Sequence, residues 1–349
     1  MPNVTAERLT EIAKGLLIAA GASTEEAAII ARYNIGANLV GHDSHGIILI
    51  PQYIDRVKAG HIVPQAPWVI TQETPTTTVV DGNWGFGYVV NDRAMRYTIE
   101  KAKKQNVAAT TVFHQSHIGR LASYPLLAAA DGMIAMITAD SGRSPKHVAP
   151  YGGAKARLGT NPICFAVPSN LEGPLVFDMA TSAAAAGKIN VATARGEQVP
   201  SGWLIDSEGR PSTDPKVLRA GGALLPLGGT EGYKGTGLAA IVEILSGLLT
   251  GLGFGIDPQG RHNDGCFMAV FNVAAFRDLN TFKAEVTDFA KYLKATPPAE
   301  GFKEVYYPGE VEFLKEKDRR ANGVPIEDAT WKRLQDLATS FGIADKLPF

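Results

Sequence analysis

The chain has 349 residues, 45% hydrophobic and 20% charged, the balance of a folded globular protein and not of a disordered one. Lys and Arg total 34 against 35 Asp and Glu, and no long basic or acidic run occurs, which argues against a nucleic-acid or anionic-membrane footprint. The 2 cysteines, Cys164 and Cys266, are too few for a disulfide framework; both lie in apolar, strand-like stretches and read as buried thiols.

Thr5 can cap a first helix, with Val4 and Leu9 as a hydrophobic staple and Gly21 as its stop. Leu9, Ile12, Leu16 and Leu17 form its apolar face. This N-terminus reads as an amphipathic helix and not a signal peptide, so the cytoplasm is the expected compartment. Ser23 and Glu26 make a capping box for a second helix that runs to about Gly41. Just past it stands His42-Asp43-Ser44-His45-Gly46. Tyr53, Ile54 and Val57 then recur at helical spacing, and Gly60 to Pro67 is a Pro-containing connection.

The pattern then changes. Thr76 to Val80 reads as a strand, and Asn91 or Asp92 caps a helix with Ala94, Met95, Thr98, Ile99 and Ala102 on one side. Val107 to Phe113 is a second strand, which delivers His114-Gln115-Ser116-His117-Ile118-Gly119 at its C-terminal end. A short helix from about Leu121 and a strand from Ile134 to Thr138 follow. Further strands are expected at Ile163 to Val167, Leu175 to Phe177 and Phe267 to Phe271. The alternation predicts a mixed or parallel sheet with helices packed on it.

Ala192 to Gly229 is loop-rich and reads as surface or lid. Leu238 to Leu249 is a helix apolar nearly all round. The apolar run extends to Ile256 but contains Glu243, so it reads as a buried core helix and not as a membrane span. Helices at Phe282 to Leu293, Glu310 to Arg320 and Asp328 to Phe341 complete the chain. In the last, Trp331, Leu334, Ala338 and Phe341 share a face. Helical ends around an α/β middle predict one lobe from both termini, residues 1–72 with 305–349, beside a central α/β domain of residues 73–304.

Four of the 7 histidines fall in the two His-x-Ser-His segments. Histidine is the usual proton carrier near neutral pH and the commonest metal ligand. An i, i+3 pair can face one ion, but His-Glu-x-x-His is absent and only Asp43 supplies a nearby carboxylate, so no metal is expected. Gly85-Phe86-Gly87 lacks the third glycine and the acidic residue of a Rossmann fingerprint, and Gly82 to Gly87 reads as a turn. Gly232-Tyr233-Lys234-Gly235-Thr236-Gly237 either cradles a phosphate or gives a flexible entry to a helix. Asp178-Met179-Ala180-Thr181-Ser182 either binds ribose or caps a helix. Gly159-Thr160-Asn161-Pro162 is turn chemistry.

Taken in order, Ser44-His45-Gly46, Ser116-His117-Ile118-Gly119, Gly159-Thr160-Asn161-Pro162, Asp178 to Ser182, Gly232-Tyr233-Lys234-Gly235, Glu243-Ile244-Leu245-Ser246-Gly247 and Pro308-Gly309-Glu310 carry a resemblance. From about residue 5 to 340 the chain resembles the malate/L-lactate dehydrogenase type 2 family of NAD(P)-dependent oxidoreductases, most of all its hydroxycarboxylate dehydrogenase branch. The resemblance implies a non-Rossmann dinucleotide-binding α/β domain with a helical lobe formed by both termini. It also implies a homodimer with the site near the interface, NAD or NADP as cofactor, and a small 2-keto or 2-hydroxy carboxylate as substrate.

In that family His45 would be the general acid/base and Ser44 its orienting partner. His117 would lie beside nicotinamide and substrate, and some members give it the proton role. Dinucleotide contacts would come from His45, His117, Gly119, Arg120 and Thr160, from Asp178, Met179, Ala180, Thr181 and Ser182, and from Lys234, Gly309 and Glu310. Many relatives carry an arginine five residues after the serine as a carboxylate anchor; here that position is Leu49. Arg120 or Arg143 is a candidate for the missing charge, and Ser141 and Arg143 are candidate substrate contacts. Two other readings stand beside this one: a metal-dependent hydrolase or lyase built on the paired histidines, and a non-catalytic dinucleotide-binding protein on the same fold.

Overall fold

The computed structural model describes residues 1–140, 142, 145–255 and 264–349; Ser141 and Arg143 lie outside the described residues. Helix α1, Ala6–Ala19, starts at Thr5, whose hydroxyl accepts from the Arg8 N–H, and its predicted face of Leu9, Ile12, Leu16 and Leu17 is fully buried. Helix α2, Thr24–Leu39, has both arms of the Ser23/Glu26 capping box. Helix α3, Ile50–Lys58, follows the first histidine segment.

Seven strands form the central sheet: β1 Val69–Glu73, β2 Thr77–Gly85, β3 Val107–Gln115, β4 Met133–Asp140, β5 Ile163–Val167, β6 Leu175–Met179 and β7 Gly265–Asn272. Their order is β1-β2-β3-β7-β4-β5-β6. The β2/β3 pair is parallel and the other neighbours are antiparallel. The mixed sheet is as expected. Of its five antiparallel pairs, three join strands consecutive in the chain and two come from β7, which returns from far along the chain to sit between β3 and β4.

Helix α4, Gly87–Gln105, makes the crossover between the parallel strands. It starts earlier than expected, so Asn91 and Asp92 lie inside it and do not cap it. Their partners come from elsewhere: Asn91 Nδ2 donates to Gly87 O (2.8 Å) and to the Gln115 side chain, while Asp92 accepts from Arg32 (2.6 Å), Arg96 (2.9 Å) and the Tyr33 hydroxyl. The expected turn at Gly82 to Gly87 is also different. β2 continues to Gly85 through an irregularity, with Asn83 and Trp84 at positive φ, and Phe86 precedes α4 directly.

Helices α5 Pro125–Ala130, α6 Ala186–Arg195, α7 Gly232–Glu243, α8 Leu279–Lys294, α9 Glu310–Asn322 and α10 Asp328–Ser340 complete the set used below. The 192–229 stretch is more ordered than its composition suggested. It holds the end of α6 and a small sheet of Leu204–Ile205, Pro211–Ser212 and Ala223–Leu224 over a core of its own that includes Val148, Ile189, Leu204 and Leu224. Strands of two residues are too short to leave a periodic signal.

The expected core helix at Leu238 is a correction. Helix α7 runs into a π-helical turn, Ile244–Leu248, and Ile241, Ile244, Leu248 and Leu249 are 52, 47, 47 and 57% exposed. Among the described residues no helix is long and apolar enough to cross a membrane.

The chain ends meet. Asn3–Val4 pairs with Val324–Pro325, and the Arg8 guanidinium lies 5.5 Å from the Trp331 ring centre. One core cluster extends from Leu9 through Val80, Val112 and Cys266 to Leu334 and Ala338. Cys164 and Cys266 are buried free thiols, as the sequence suggested, and burial pushes both pKa values well up.

Candidate active site

The first histidine segment is a short 3-10 turn, Asp43–His45, hung beneath α2. Asn38 fixes it from both sides: its Nδ2 donates to Asp43 Oδ1 (2.6 Å) and its Oδ1 accepts from Ile47 N (2.8 Å). Arg319 of α9 grips the Asp43 carboxylate with two bonds of 2.7 and 2.9 Å. Gly46 is required because a Cβ there would collide with the Asn38 amide. Asn34 Nδ2 holds the His45 carbonyl (2.9 Å). The His45 ring is therefore presented on a fixed backbone, with Nδ1 3.0 Å from Ser44 Oγ. A hydroxyl both donates and accepts, so Ser44 serves either protonation state of the ring. Loss of water pushes the His45 pKa down to about 4, with His42 and Arg120 adding to the shift. The imidazole is thus neutral at pH 7.

The second segment leaves the C-terminal end of β3. Tyr53 Oη of α3 lies 2.8 Å from His117 Nδ1, and it also donates to Tyr88 Oη of α4 (3.2 Å). Tyr88 accepts in turn from the same Asn34 that holds His45 (2.9 Å). Burial pushes the pKa of Tyr53 well up, so this link is a neutral phenol. On either side of His117 the chain is tied: Arg56 donates to the Ser116 side chain at Oγ (3.1 Å), and the backbone Ile118 N donates to Asp264 Oδ2 (3.2 Å). The outcome is that the His45 and His117 rings stack, with centres 5.8 Å apart and planes at 26°.

His45 and Ser44 border a cavity of about 490 Å³, within the range of small-molecule sites. Gly119, Arg120, Thr160, Asp178, Met179, Ala180 and Ser182 border it too. Parts of four of the seven motifs thus converge on one space. Asp178, at the end of β6, accepts from Ala122 N (2.9 Å), yet burial raises its pKa against that bond and the nearby Arg120. The Arg120 side chain is 10% exposed, its Nε has no hydrogen-bond partner, and Asp178 Oδ2 is 4.0 Å away.

Other predicted residues lie elsewhere. The Thr181 hydroxyl is turned inward, donating to Thr160 O (3.1 Å) and Asn161 O (2.9 Å), so it joins two motifs from behind. Lys234 is on the surface, 3.1 Å from Glu231. Gly309 and Glu310 clamp the edge of β6: Val176 N donates to Pro308 O (3.1 Å), Glu310 pairs with Lys294, and a Cβ at Gly309 would meet Pro174 O. His114 does not join the histidine pair. It stacks on Trp84 at 4.9 Å and approaches Asp81 at 3.2 Å. His42 borders the cavity and pairs with Glu312 at 3.4 Å. Among the described residues no group of three or more His, Cys, Asp or Glu is arranged to hold a metal.

Sequence reasoning missed the start of α6. Ala183 to Lys188 forms one wall of the cavity, and a Cβ at Gly187 would lie 3.2 Å from that of Ser44. Four alanines carry no chemical signal, and only the fold brings them opposite the histidine.

The Glu243 to Gly247 motif is structural support behind the cavity. Glu243 accepts from Asn161 Nδ2 (2.8 Å) and Lys146 Nζ (3.1 Å), Ser246 bonds Thr138 (2.7 Å), and a Cβ at Gly247 would lie 2.7 Å from Asp140 Oδ2. Among the described residues neither Asp140 oxygen has a full hydrogen bond, and Lys146 Nζ is 3.6 Å away. Burial, then the Glu243 charge, pushes its pKa up to about 7 against the pull of Lys146. A folded-state value above the unfolded one means that the native protein binds this proton more tightly. Stability is then lost as pH rises from about 4 through about 7. Asp140→Asn is expected to raise stability at pH 8 by on the order of 1–2 kcal/mol and to change little at pH 4. Thermal melts at both pH values test this; equal shifts at the two would show that packing, not ionisation, is at work.

A model of the malate/L-lactate dehydrogenase family matches residues 4–335. The chain is 35% identical to an L-sulfolactate dehydrogenase of Methanothermobacter thermautotrophicus, over 97% of both chains. It is 33% identical to hydroxycarboxylate dehydrogenase B of Escherichia coli, over 93% of this chain and 91% of that one. These values do not single out one branch. The crystal structure of malate dehydrogenase from Entamoeba histolytica superposes with a TM-score of 0.94 at 34% identity, covering 100% of this chain and 99% of that one. With four of its motifs meeting at one cavity and nearly its whole length matched, the chain belongs to the malate/L-lactate dehydrogenase family, and it is a dehydrogenase of 2-hydroxy acids.

Proposed function

We propose that the chain interconverts a 2-hydroxy acid and a 2-oxo acid with NAD or NADP, and that His45 moves the proton. The observation that carries this reading is the stacked His45–His117 pair, with a neutral, serine-held imidazole at the wall of a cavity that is also bordered by a buried arginine, whose side chain has no hydrogen bond among the described residues. Bound nicotinamide supplies or accepts the hydride, chemistry that no side chain offers. The rest falls to this chain. Because Ser44 occupies Nδ1, His45 has Nε2 for the substrate oxygen. It takes the hydroxyl proton in oxidation and returns it in reduction. His117, held by Tyr53, does not itself border the cavity but stacks on His45, from where it would support the proton carrier. Gly119, Thr160, Asp178, Met179, Ala180 and Ser182 would contact the dinucleotide, and Thr181 fixes the Thr160 turn from behind. Lys234, Gly309 and Glu310 would serve the more distant part of an extended dinucleotide.

The deciding experiment is a panel of pyruvate, oxaloacetate, 2-oxoglutarate and phenylpyruvate, assayed with NADH and NADPH separately. Oxidation of one cofactor by at least one acid is expected. No turnover with any acid, and no change in NAD(P)H fluorescence on mixing, would sink the reading.

The exposed stripe at the end of α7 and along the π-helical turn after it fits a second copy of the chain, as the family resemblance implies. Ile241, Ile244 and Leu248 recur at helical spacing and are about half exposed, an apolar patch that soluble monomers seldom show. The wild-type chain is expected to run as a dimer in light scattering. Ile244→Glu with Leu248→Glu should weaken that dimer at least tenfold, whereas a monomeric wild type would overturn the assignment.

A further inference from the structure

Arg120 is the residue whose chemistry remains unspent. It follows Gly119, whose positive φ turns the chain after His117, and its side chain enters the cavity nine-tenths buried. No hydrogen bond to its side chain occurs among the described residues, and its Nε is buried without one; its ion pair with Asp178 is long, at 4.0 Å. Asp178 stands 4.0 Å away, beyond hydrogen-bond reach, and is already bonded to Ala122 N; Glu312 is engaged with His42. A buried guanidinium with one long ion pair and no hydrogen bond is under-satisfied, and a second anion that bonds it directly would offset the cost of its burial. The arriving group has to be an anion, and the planar fork of arginine suits an oxyacid with two oxygens.

We propose that Arg120 holds the carboxylate of the 2-oxo acid, taking over the task of the arginine that Leu49 replaces. This rests on the oxidoreductase reading above and moves Arg120 from the cofactor contacts to the substrate contacts. Leu49 itself packs against the core and offers no charge. The choice of carboxylate over cofactor phosphate follows from bond connectivity. In a 2-oxo acid the carboxylate is attached directly to the carbon that reacts, so its holder must share a cavity with His45, as Arg120 does. A dinucleotide phosphate is separated from the reacting ring by a ribose.

The test uses Arg120→Met and Arg120→Lys in the full-length protein. With the best acid of the panel, Arg120→Met should raise KM roughly 100-fold, a loss of the size expected for a charged bidentate contact. The NADH dissociation constant from fluorescence titration should stay within about threefold of wild type, and Arg120→Lys should recover part of the loss. Wild type should strongly prefer pyruvate over pyruvamide, a preference that Arg120→Met loses. A merely structural arginine would lower the melting temperature when replaced. The carboxylate role instead predicts that Arg120→Met melts no lower than wild type without ligand, and that oxalate raises the melting temperature of wild type only. Weakened NADH binding with KM unmoved would assign Arg120 to the cofactor phosphate and overturn the proposal while the oxidoreductase reading stands. If wild type turns over no acid, that reading fails, and the oxalate shift still decides whether Arg120 holds a carboxylate.

Discussion

Replacing His45 by alanine is expected to lower kcat about 100- to 10,000-fold, the range for loss of a general acid/base, while the protein still folds and binds NAD(P)H. Folding should survive because the segment is held by its backbone and its neighbours. Asn34 holds the His45 carbonyl, and Asn38 and Arg319 hold Asp43, none of them through the imidazole. The pH profile gives an independent reading of the same residue. With a pKa near 4, the ring of the free enzyme is neutral over most of the working range. Oxidation needs the neutral base, so its kcat/KM should be flat above about pH 5. Reduction needs the protonated form, so its kcat/KM should fall about tenfold per pH unit over the same range. A break near the ordinary histidine value of about 6.5 would point to another proton carrier. Unchanged kcat in His45→Ala would remove His45 from the chemistry altogether.

The sequence was most readable where a local rule decides the structure. The Thr5 cap, the Ser23/Glu26 box and the buried face of α1 all depend on residues within a few positions of one another. It was least readable where a distant partner decides. Asn91 and Asp92 have the composition of a cap, but Gln115, Arg32 and Tyr33 draw them into the middle of α4. The apolar helix at Leu238 looked like core because composition cannot tell a core contact from a face left bare on one chain. In the site, the histidine motifs and the Asp178 segment could be named from the residues, and the fold gathers them. The Ala183 to Gly187 part of the wall could not be named, because its contribution is backbone and position and not side-chain chemistry, and the Lys188 that follows it sits in no recognisable motif. The symmetry of the two His-x-Ser-His segments was misleading in the same way. His42 and His114 take separate acidic partners, Glu312 and Asp81, and the rings that meet are His45 and His117.

The glycines that fail as a nucleotide fingerprint have a different purpose, and Gly87→Ala should expose it with a double loss. Gly87 is the first residue of α4 and lies directly against the chain that carries the second histidine. A Cβ there would collide with Ser116 O and come within 2.6 Å of His117 O and 2.9 Å of His117 C. These are backbone atoms, which cannot rotate aside as a side-chain tip can. Either α4 or the 116–118 segment has to move. The segment has little room, because Arg56, Asp264 and Tyr124 bond it on several sides. Overpacking of this kind costs about 1–3 kcal/mol, so the melting temperature should fall by several degrees. The activity should fall further than the stability loss explains. A shift of about 1 Å in a group at the reacting centre can cost on the order of 100-fold in rate, and the proposed role of His117 depends on an alignment to which its 2.8 Å contact with Tyr53 contributes. Gly237→Ala is the control: it sits in α7 with nothing within 4 Å of an added Cβ, so it should melt at or above the wild-type temperature with kcat intact. If Gly87→Ala matches that control in both melting and kcat, the close approach of α4 to the His117 segment has no part in the site. If it melts lower but keeps kcat, the approach supports the fold alone, and the alignment of His117 depends on Tyr53 and the strand end instead.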